Sequence, residues 1–323
     1  MKKKTDIASS SSIPKPAHPH RRREPLPWCQ PKPVEEDRDA PQRIQTIMQS
    51  PSYRQADQDI DFLNQDETRG VRLQIDYQKP EFLLQQHGIQ HTIVVFGSTR
   101  IHESATAQLK VDALHAQLKA EPENSELQRR LHIAERILEK SHYYDIAREF
   151  GQLVCKAGKT VDDGQLVVMT GGGPGMMEAA NRGAFDTGSK TIGLNISLPH
   201  EQYPNPYITP DLCFRFHYFA LRKLHFLLRT RALVAFPGGY GTFDELFETL
   251  TLVQTRKIKP VPIILVGERY WRQAVNVDFL VDEGVIDEED RELFWYAETA
   301  EEIWNGIQQW YEANGTPLLA RGG

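Results

Sequence analysis

Three glycine-bearing segments carry the residue types that could do chemistry. They are Gly97-Ser98-Thr99-Arg100, Thr170-Gly171-Gly172-Gly173-Pro174-Gly175 and Pro237-Gly238-Gly239-Tyr240-Gly241-Thr242. Each follows a short apolar run. Glycine lets the backbone come close to a ligand and take positive φ. Where a helix starts at such a loop, its first amides lack intrahelical partners and lie at the positive end of the helix dipole, which suits an anion. Two loop-to-helix junctions of this kind favour a phosphate-bearing ligand over plain turns. Beyond the third loop, Thr242-Phe243-Asp244-Glu245 puts a hydroxyl at the expected helix start and two carboxylates in its first turn. Those acids either complement the dipole or, in the case of Glu245, face the bound ligand. Upstream, Arg222-Lys223 stands among Phe214, Phe216, Phe219, Leu224 and Phe226. Arginine there suits bidentate recognition of phosphate or carboxylate, the alternative being an ordinary snorkelling pair.

Familiar nucleotide motifs do not fit. Cys155-Lys156-Ala157-Gly158-Lys159-Thr160 ends like a Walker A loop, but Leu153 stands where its first glycine belongs. It also precedes a strand, so Gly158 reads as a helix stop. The GGGPG run is not GxGxxG, and no acid suited to a ribose follows at a strand end, which disfavours a dinucleotide dehydrogenase.

These loops need elements to position them. Residues 92–96 form a short apolar run expected of a strand buried on both faces. From Ser141 onward helices and strands alternate. Helices are expected at 141–154, 175–186, 217–230 and from about 242, with strands at 166–169, 191–194, 232–236 and 261–266. That alternation predicts an α/β, Rossmann-like, doubly wound parallel sheet with helices on both faces. Such sheets bind ligands beyond the carboxyl ends of their strands. Within 103–140 the spacing predicts a helical hairpin insertion, restarted by a capping box of Ser125 and Gln128. It is either an oligomer contact or a solvated elaboration. Residues 42–90 read as leading helices packed on the core, interrupted at Pro80 and with period-two alternation over Val71–Tyr77. The remainder, 91–323, is expected to be one nucleotide-binding catalytic domain.

Residues 1–41 read as a disordered, basic, proline-rich arm. Eight Lys/Arg face only Asp6 and Glu24 in residues 1–34, which also hold seven of the twenty prolines. With 38 basic and 44 acidic residues in all, the rest of the chain stands at −12. The arm is either a tether for an acidic partner, RNA or a membrane surface, or a solvated tail. No apolar core of a secretory signal follows its lysines. An acidic body argues against a broad electrostatic grip on nucleic acid, and no apolar run approaches the roughly 20 residues of a membrane helix. Cys29, Cys155 and Cys213 make neither a disulfide framework nor a CxxC metal site, so a cytoplasmic protein without a metal is expected.

The segments TGGGPGMMEAANRGA (170–184), ALRK (220–223) and PGGYGTFDE (237–245) resemble the LOG family. Its members are cytokinin riboside 5′-monophosphate phosphoribohydrolases and related nucleoside-monophosphate nucleosidases, long mislabelled lysine decarboxylases. The likeness spans roughly 92–270, and longer bacterial members also resemble the chain from about 52. The PGGxGTxxE motif is complete, and Arg222 precedes Glu245 by the family's 23 residues. The resemblance implies hydrolysis of the N-glycosidic bond of a nucleoside 5′-monophosphate to free base and ribose 5-phosphate, with no cofactor. It implies Arg222 and Glu245 as the catalytic pair, and Gly238, Gly239, Gly241 and Thr242 as the phosphate cradle. Gly171, Gly172, Gly173 and Gly175 would line the pocket, with Gly97 and Ser98 opposite and Lys223 on the substrate. Glu178 would touch the ribose or merely favour its helix start. A homodimer or larger homo-oligomer is implied too.

The sequence departs from the family at Phe219-Ala220, where plant members have Met-His before xRK. AMP-like purine nucleotides are therefore the expected substrates, with cytokinin nucleotides as a further choice. A broad pyrimidine/purine monophosphate nucleosidase and a non-catalytic nucleotide sensor are the alternatives. A lysine decarboxylase would need a pyridoxal-binding lysine, and no sequence feature singles one out.

Overall fold

The computed structural model describes residues 29–159, 166–199 and 203–319, with His18, His20, Arg21, Glu24 and Leu26. Much of the basic arm thus lies outside the described residues. The chain divides into two compact units, residues 1–69 and 70–323. In the first, α1 (Ala40–Gln49) and the short α2 (Ile60–Leu63) are joined through one 3-10 turn at Pro51–Tyr53, and a second, Asp66–Thr68, follows α2. Asp59 caps α2 by accepting from the Phe62 amide at 3.2 Å.

The helix α3 (Arg69–Gln86) leads into the second unit. It runs through Pro80 without a break, contrary to the expected interruption. Proline removes one amide donor and strains the preceding turn. Here contacts along the same helix hold it: Glu81 receives Arg229, and the Tyr77 carbonyl lies 3.1 Å from His225 Nε2. These contacts also override the period-two pattern over Val71–Tyr77.

Seven strands make one all-parallel sheet: β1 (His91–Phe96), β2 (Leu166–Thr170), β3 (Thr191–Ile196), β4 (Cys213–Phe216), β5 (Thr230–Ala235), β6 (Ile263–Val266) and β7 (Trp295–Ala297). Their order is β4-β3-β2-β1-β5-β6-β7. In register, Ile93 lies beside Val168 on one side and Ala232 on the other. Two of these strands escape a sequence reading. β4 is four residues long and lies at an edge, and β7 adds only three residues from the C-terminal region.

The connections are α4 (Ser104–Ala120), α5 (Ser125–Leu138) and α6 (His142–Lys159) between β1 and β2, α7 (Met176–Asp186), α8 (Phe219–Leu228) and α9 (Tyr240–Gln254). After β6 come α10 (Glu268–Ala274), α11 (Val277–Asp282) and, last, α12 (Ala300–Ala313). Side chains alternate across the strands, as period-two geometry requires. Ile93, Val95, Val168 and Val234 join the core under α6, α7 and α12. Val94, Phe96, Met169 and Leu233 join the opposite core, with Phe226 of α8, Leu246 of α9 and Trp271 of α10. Helices therefore cover both faces, and the doubly wound expectation holds.

The predicted insertion is a helical hairpin of α4 and α5 with a small core of its own: Val111, Leu114, Leu127, Leu131 and Ala134. Its restart differs by one residue from the expected capping box. Asn124 is the cap and accepts from the Leu127 amide at 3.1 Å, while Gln128 turns its amide to the Pro122 carbonyl at 2.8 Å. Asparagine offers the same oxygen as serine at an N-cap. Among the described residues, no helix is long and apolar enough to cross a membrane.

Candidate active site

The strand order decides where a site can be. β1 leads through β2 and β3 to β4 on one side, and α8 returns the chain to β5 on the other side of β1. The crevice at such a reversal is where open parallel sheets bind ligands. A cleft of about 500 Å³ lies there, lined by Gly97, Ser98, Thr99 and Arg100 after β1, and by Gly239, Tyr240, Gly241, Thr242, Asp244 and Glu245 after β5. Phe96, Met177, Phe219 and Arg222 complete its wall.

The expected residues therefore separate into two groups. Gly97, Ser98, Arg222, Gly239, Gly241, Thr242 and Glu245 meet on the cleft. Gly171, Gly172, Gly173, Gly175, Gly238, Lys223 and Glu178 do not line it. The GGGPG loop stands behind the cleft as its support. Thr170 Oγ1 donates to Asn181 Oδ1 at 2.7 Å, and Asn205 bonds the carbonyls of Gly172 (2.9 Å) and Gly173 (3.1 Å). A Cβ on Gly171 would meet the Arg222 guanidinium, and one on Gly175 would meet the Ser98 carbonyl. Glu178 accepts from Tyr144 at 2.9 Å, in the first turn of α7. Gly238 gives its carbonyl to the Tyr270 hydroxyl.

α8 carries Arg222 and Lys223, and α3 fixes where that helix begins. Its N-cap, Tyr218, has no capping side chain of its own. Asp76 of α3 instead ties down the two residues that lead into α8, taking the amides of His217 (3.1 Å) and Tyr218 (3.0 Å). One turn in, Arg222 Nε donates to the Leu194 carbonyl at 2.7 Å, and the guanidinium lies over the Phe226 ring at 5.3 Å. Burial lowers its pKa, while Glu245 and Asp244 pull it back up.

α9 starts at Tyr240 with Gly239 as its N-cap, two residues earlier than expected. Asp244 and Glu245 consequently sit in its second turn. The helix dipole acts mainly within the first turn, so dipole complementarity does not account for Glu245, whose side chain is only 8% exposed. Burial pushes its carboxyl up to about 6, against the pull of Lys223 and Arg222, and Glu248 adds to the rise. Lys223 Nζ lies 2.8 Å from Asp244, 2.9 Å from Glu248 and 3.4 Å from Glu245. Burial pulls that ammonium down, yet the bonds to Asp244 and Glu248 leave it raised to about 12.

The amides at the start of α9 are those a helix leaves unpaired. Beside them, a Cβ on Gly239 or Gly241 would meet nothing within 4 Å. The arrangement can thus take an anion on the helix start and hold a buried carboxylate of raised pKa and a guanidinium beside it. Among the described residues, no group of His, Cys, Asp or Glu stands together as a metal site. Sequence reasoning passed over Arg100, Met177, Phe219, Tyr240 and Asp244 as lining residues. Their sole signal was adjacency to the glycine loops and to the Arg-Lys pair.

Residues 177–307 match a family model described as "Possible lysine decarboxylase". The match takes in Arg222 and Glu245 and begins just after the GGGPG loop. The chain is 29% identical over 175 residues to cytokinin riboside 5′-monophosphate phosphoribohydrolase LOG3 of Arabidopsis thaliana, across 53% of this chain and 77% of that protein. It is 31% identical over 170 residues to LOG1 of the same plant, across 51% of this chain and 74% of that protein. A crystal structure of a structural-genomics target, TM1055, aligns with 68% of this chain and 99% of its own at 22% identity and a TM-score of 0.42.

Proposed function

The chain belongs to the LOG, or lysine decarboxylase-like, family, and from that premise we propose that it hydrolyses the N-glycosidic bond of a nucleoside 5′-monophosphate. The products are the free base and ribose 5-phosphate. AMP-like purine nucleotides are the substrates of this reading, with cytokinin nucleotides among them. The observation that carries it is the convergence of Arg222 and the buried Glu245 on one cleft beside the open start of α9.

The 5′-phosphate rests on the free amides around Gly239 and Gly241 and on the Thr242 hydroxyl. That seats the ribose near Glu245. As the C1′–N bond lengthens, positive charge grows on the sugar, and the carboxylate of Glu245 stabilises it. Glu245 also orients the attacking water and accepts its proton as the new C1′–O bond forms. The base leaves with the bonding electron pair and takes up a proton. Arg222, its position set by Leu194 and the GGGPG wall, holds the substrate's oxygens against rotation. Because Glu245 must be ionised, activity falls as pH drops through about 6. With the family also comes the expectation of a homodimer or larger assembly, which light scattering of the purified chain measures.

The test is a panel of purine and pyrimidine nucleoside monophosphates, with released base as readout. Purine monophosphates should react best, and nucleosides without the phosphate poorly. Glu245→Ala should cut kcat about a thousandfold with nucleotide binding retained. Binding without release from any nucleotide would make the protein a sensor instead. Unchanged rates in both Glu245→Ala and Arg222→Ala would overturn the site.

A further inference from the structure

Lys223 is adjacent to Arg222 in sequence, yet its surroundings differ. Its side chain is 15% exposed, and its ammonium is enclosed by three carboxylates of α9 at 2.8, 2.9 and 3.4 Å. An ammonium has three N–H donors and no acceptor. Asp244 and Glu248 take two of them at short distance, and Glu245 faces the third. No donor is left for a phosphate. The geometry is that of a clamp between α8 and α9.

We propose that Lys223 is a positioning residue: anchored by Asp244 and Glu248, it holds the Glu245 carboxylate in its place on the cleft and keeps it ionised. This rests on the reading of Glu245 as the carboxylate of the reaction. The charged groups around Glu245 are few. Arg222 and Lys223 face it from α8, Asp244 and Glu248 flank it on α9, and Arg100 lines the opposite wall of the cleft. Without Lys223, the three carboxylates would stand together on α9, with Arg222 left as the α8 cation facing Glu245. Like charges so close disfavour ionisation of the most buried member, which is Glu245. Lys223 and Arg222 already restrain the upward push that burial exerts on that carboxyl, while Glu248 adds to the push. Glu245 would also lose the charge that fixes its rotamer, and a loosened carboxylate costs turnover more than binding.

A clamp and a substrate ligand make opposite predictions, and steady-state base release between pH 5 and 9 separates them. The proteins are the full chain, Lys223→Met, Lys223→Arg and Glu248→Gln. For Lys223→Met the expected result is a fall in kcat of about tenfold or more at pH 7, with KM within about threefold. Its acid limb should move to higher pH by about one unit. Lys223→Arg should restore most of kcat, since the charge is kept. Glu248→Gln should move the acid limb the other way, because one like charge beside Glu245 is gone and Lys223 is shared by fewer partners. That movement reads the like charge beside Glu245; should Lys223→Met not fold, Lys223→Gln, neutral but still a donor, must move the acid limb upward in its place.

A KM raised tenfold or more in Lys223→Met, with kcat and acid limb unchanged, would make Lys223 a substrate ligand and overturn the proposal. So would an acid limb that stays put in both Lys223→Met and Glu248→Gln. Absence of base release from the unaltered chain would defeat the reading of the site itself, a distinct failure.

Discussion

The two glycine loops that look alike in sequence do different work. In Thr170–Gly175 the glycines answer to the protein. Gly172 and Gly175 have φ of +72°, and added Cβ atoms would meet Asn195, Ser98 and Ile101. Buried amide and hydroxyl groups of Thr170, Asn181 and Asn205 hold the loop rigid. In Pro237–Thr242 the pattern is different. Gly239 and Gly241 have no positive φ and no neighbour within 4 Å of a Cβ. Neither chain conformation nor packing requires glycine at these two positions, whereas a Cβ on Gly238 would meet Thr242. A glycine that the fold requires and one that the fold leaves open are told apart only by what surrounds them.

The largest effect that could break this contrast is expected at Gly175→Ala. A side chain at φ +72°, ψ −126° against the Ser98 carbonyl should cost about 3 kcal/mol or more. Urea denaturation measures it, and an unchanged midpoint would mean the GGGPG loop is not built as described. Next comes Glu245→Gln. The folded-state pKa of Glu245 stands above its ordinary value of 4.5, at about 6, so ionisation works against the fold. That penalty is absent below about pH 4.5 and complete above about pH 6. Replacing the acid by its neutral isostere should therefore stabilise the protein by about 1–2 kcal/mol at pH 8 and by nothing at pH 4. A melting temperature that does not rise at pH 8 would contradict it. The smallest effect on folding belongs to Gly241→Ala. Alanine in the first turn of α9 should leave stability unchanged or improve it by about 0.5 kcal/mol. It should nonetheless weaken nucleoside-monophosphate binding about tenfold by occupying the open space, as calorimetry would record. Equal binding would end the ligand reading of that loop.

Much of the fold was legible because its signals are local. Residues 92–96, 166–169 and 232–236 are continuous apolar runs, as strands buried on both faces must be. The hairpin of α4 and α5 was readable from the helical spacing of Ala107, Val111, Leu114 and Leu118 and of Leu127, Leu131, Ala134 and Leu138, with a break at Pro122 between them. β4 and β7 were not, since four and three residues carry too little pattern and acquire strand geometry only from β3 and β6. Pro80 misled because its local cost is offset by contacts of Tyr77 and Glu81 with α8 and Arg229, some 148 residues away.

The site divides along the same line. That Arg222, Glu245 and the α9 glycines share one site was an expectation drawn from the family resemblance of ALRK and PGGYGTFDE, and the structure brings all of them to one cleft. Which of their neighbours face the cleft was decided by tertiary structure. Lys223 turns to Asp244 and Glu248, Glu178 turns to Tyr144, and the GGGPG loop becomes a wall behind Arg222. Spacing along a helix sets only the face on which a side chain lies. Its partner on that face is supplied by whichever element the sheet brings alongside, and here the crossover from β4 to β5 brings α8 against α9.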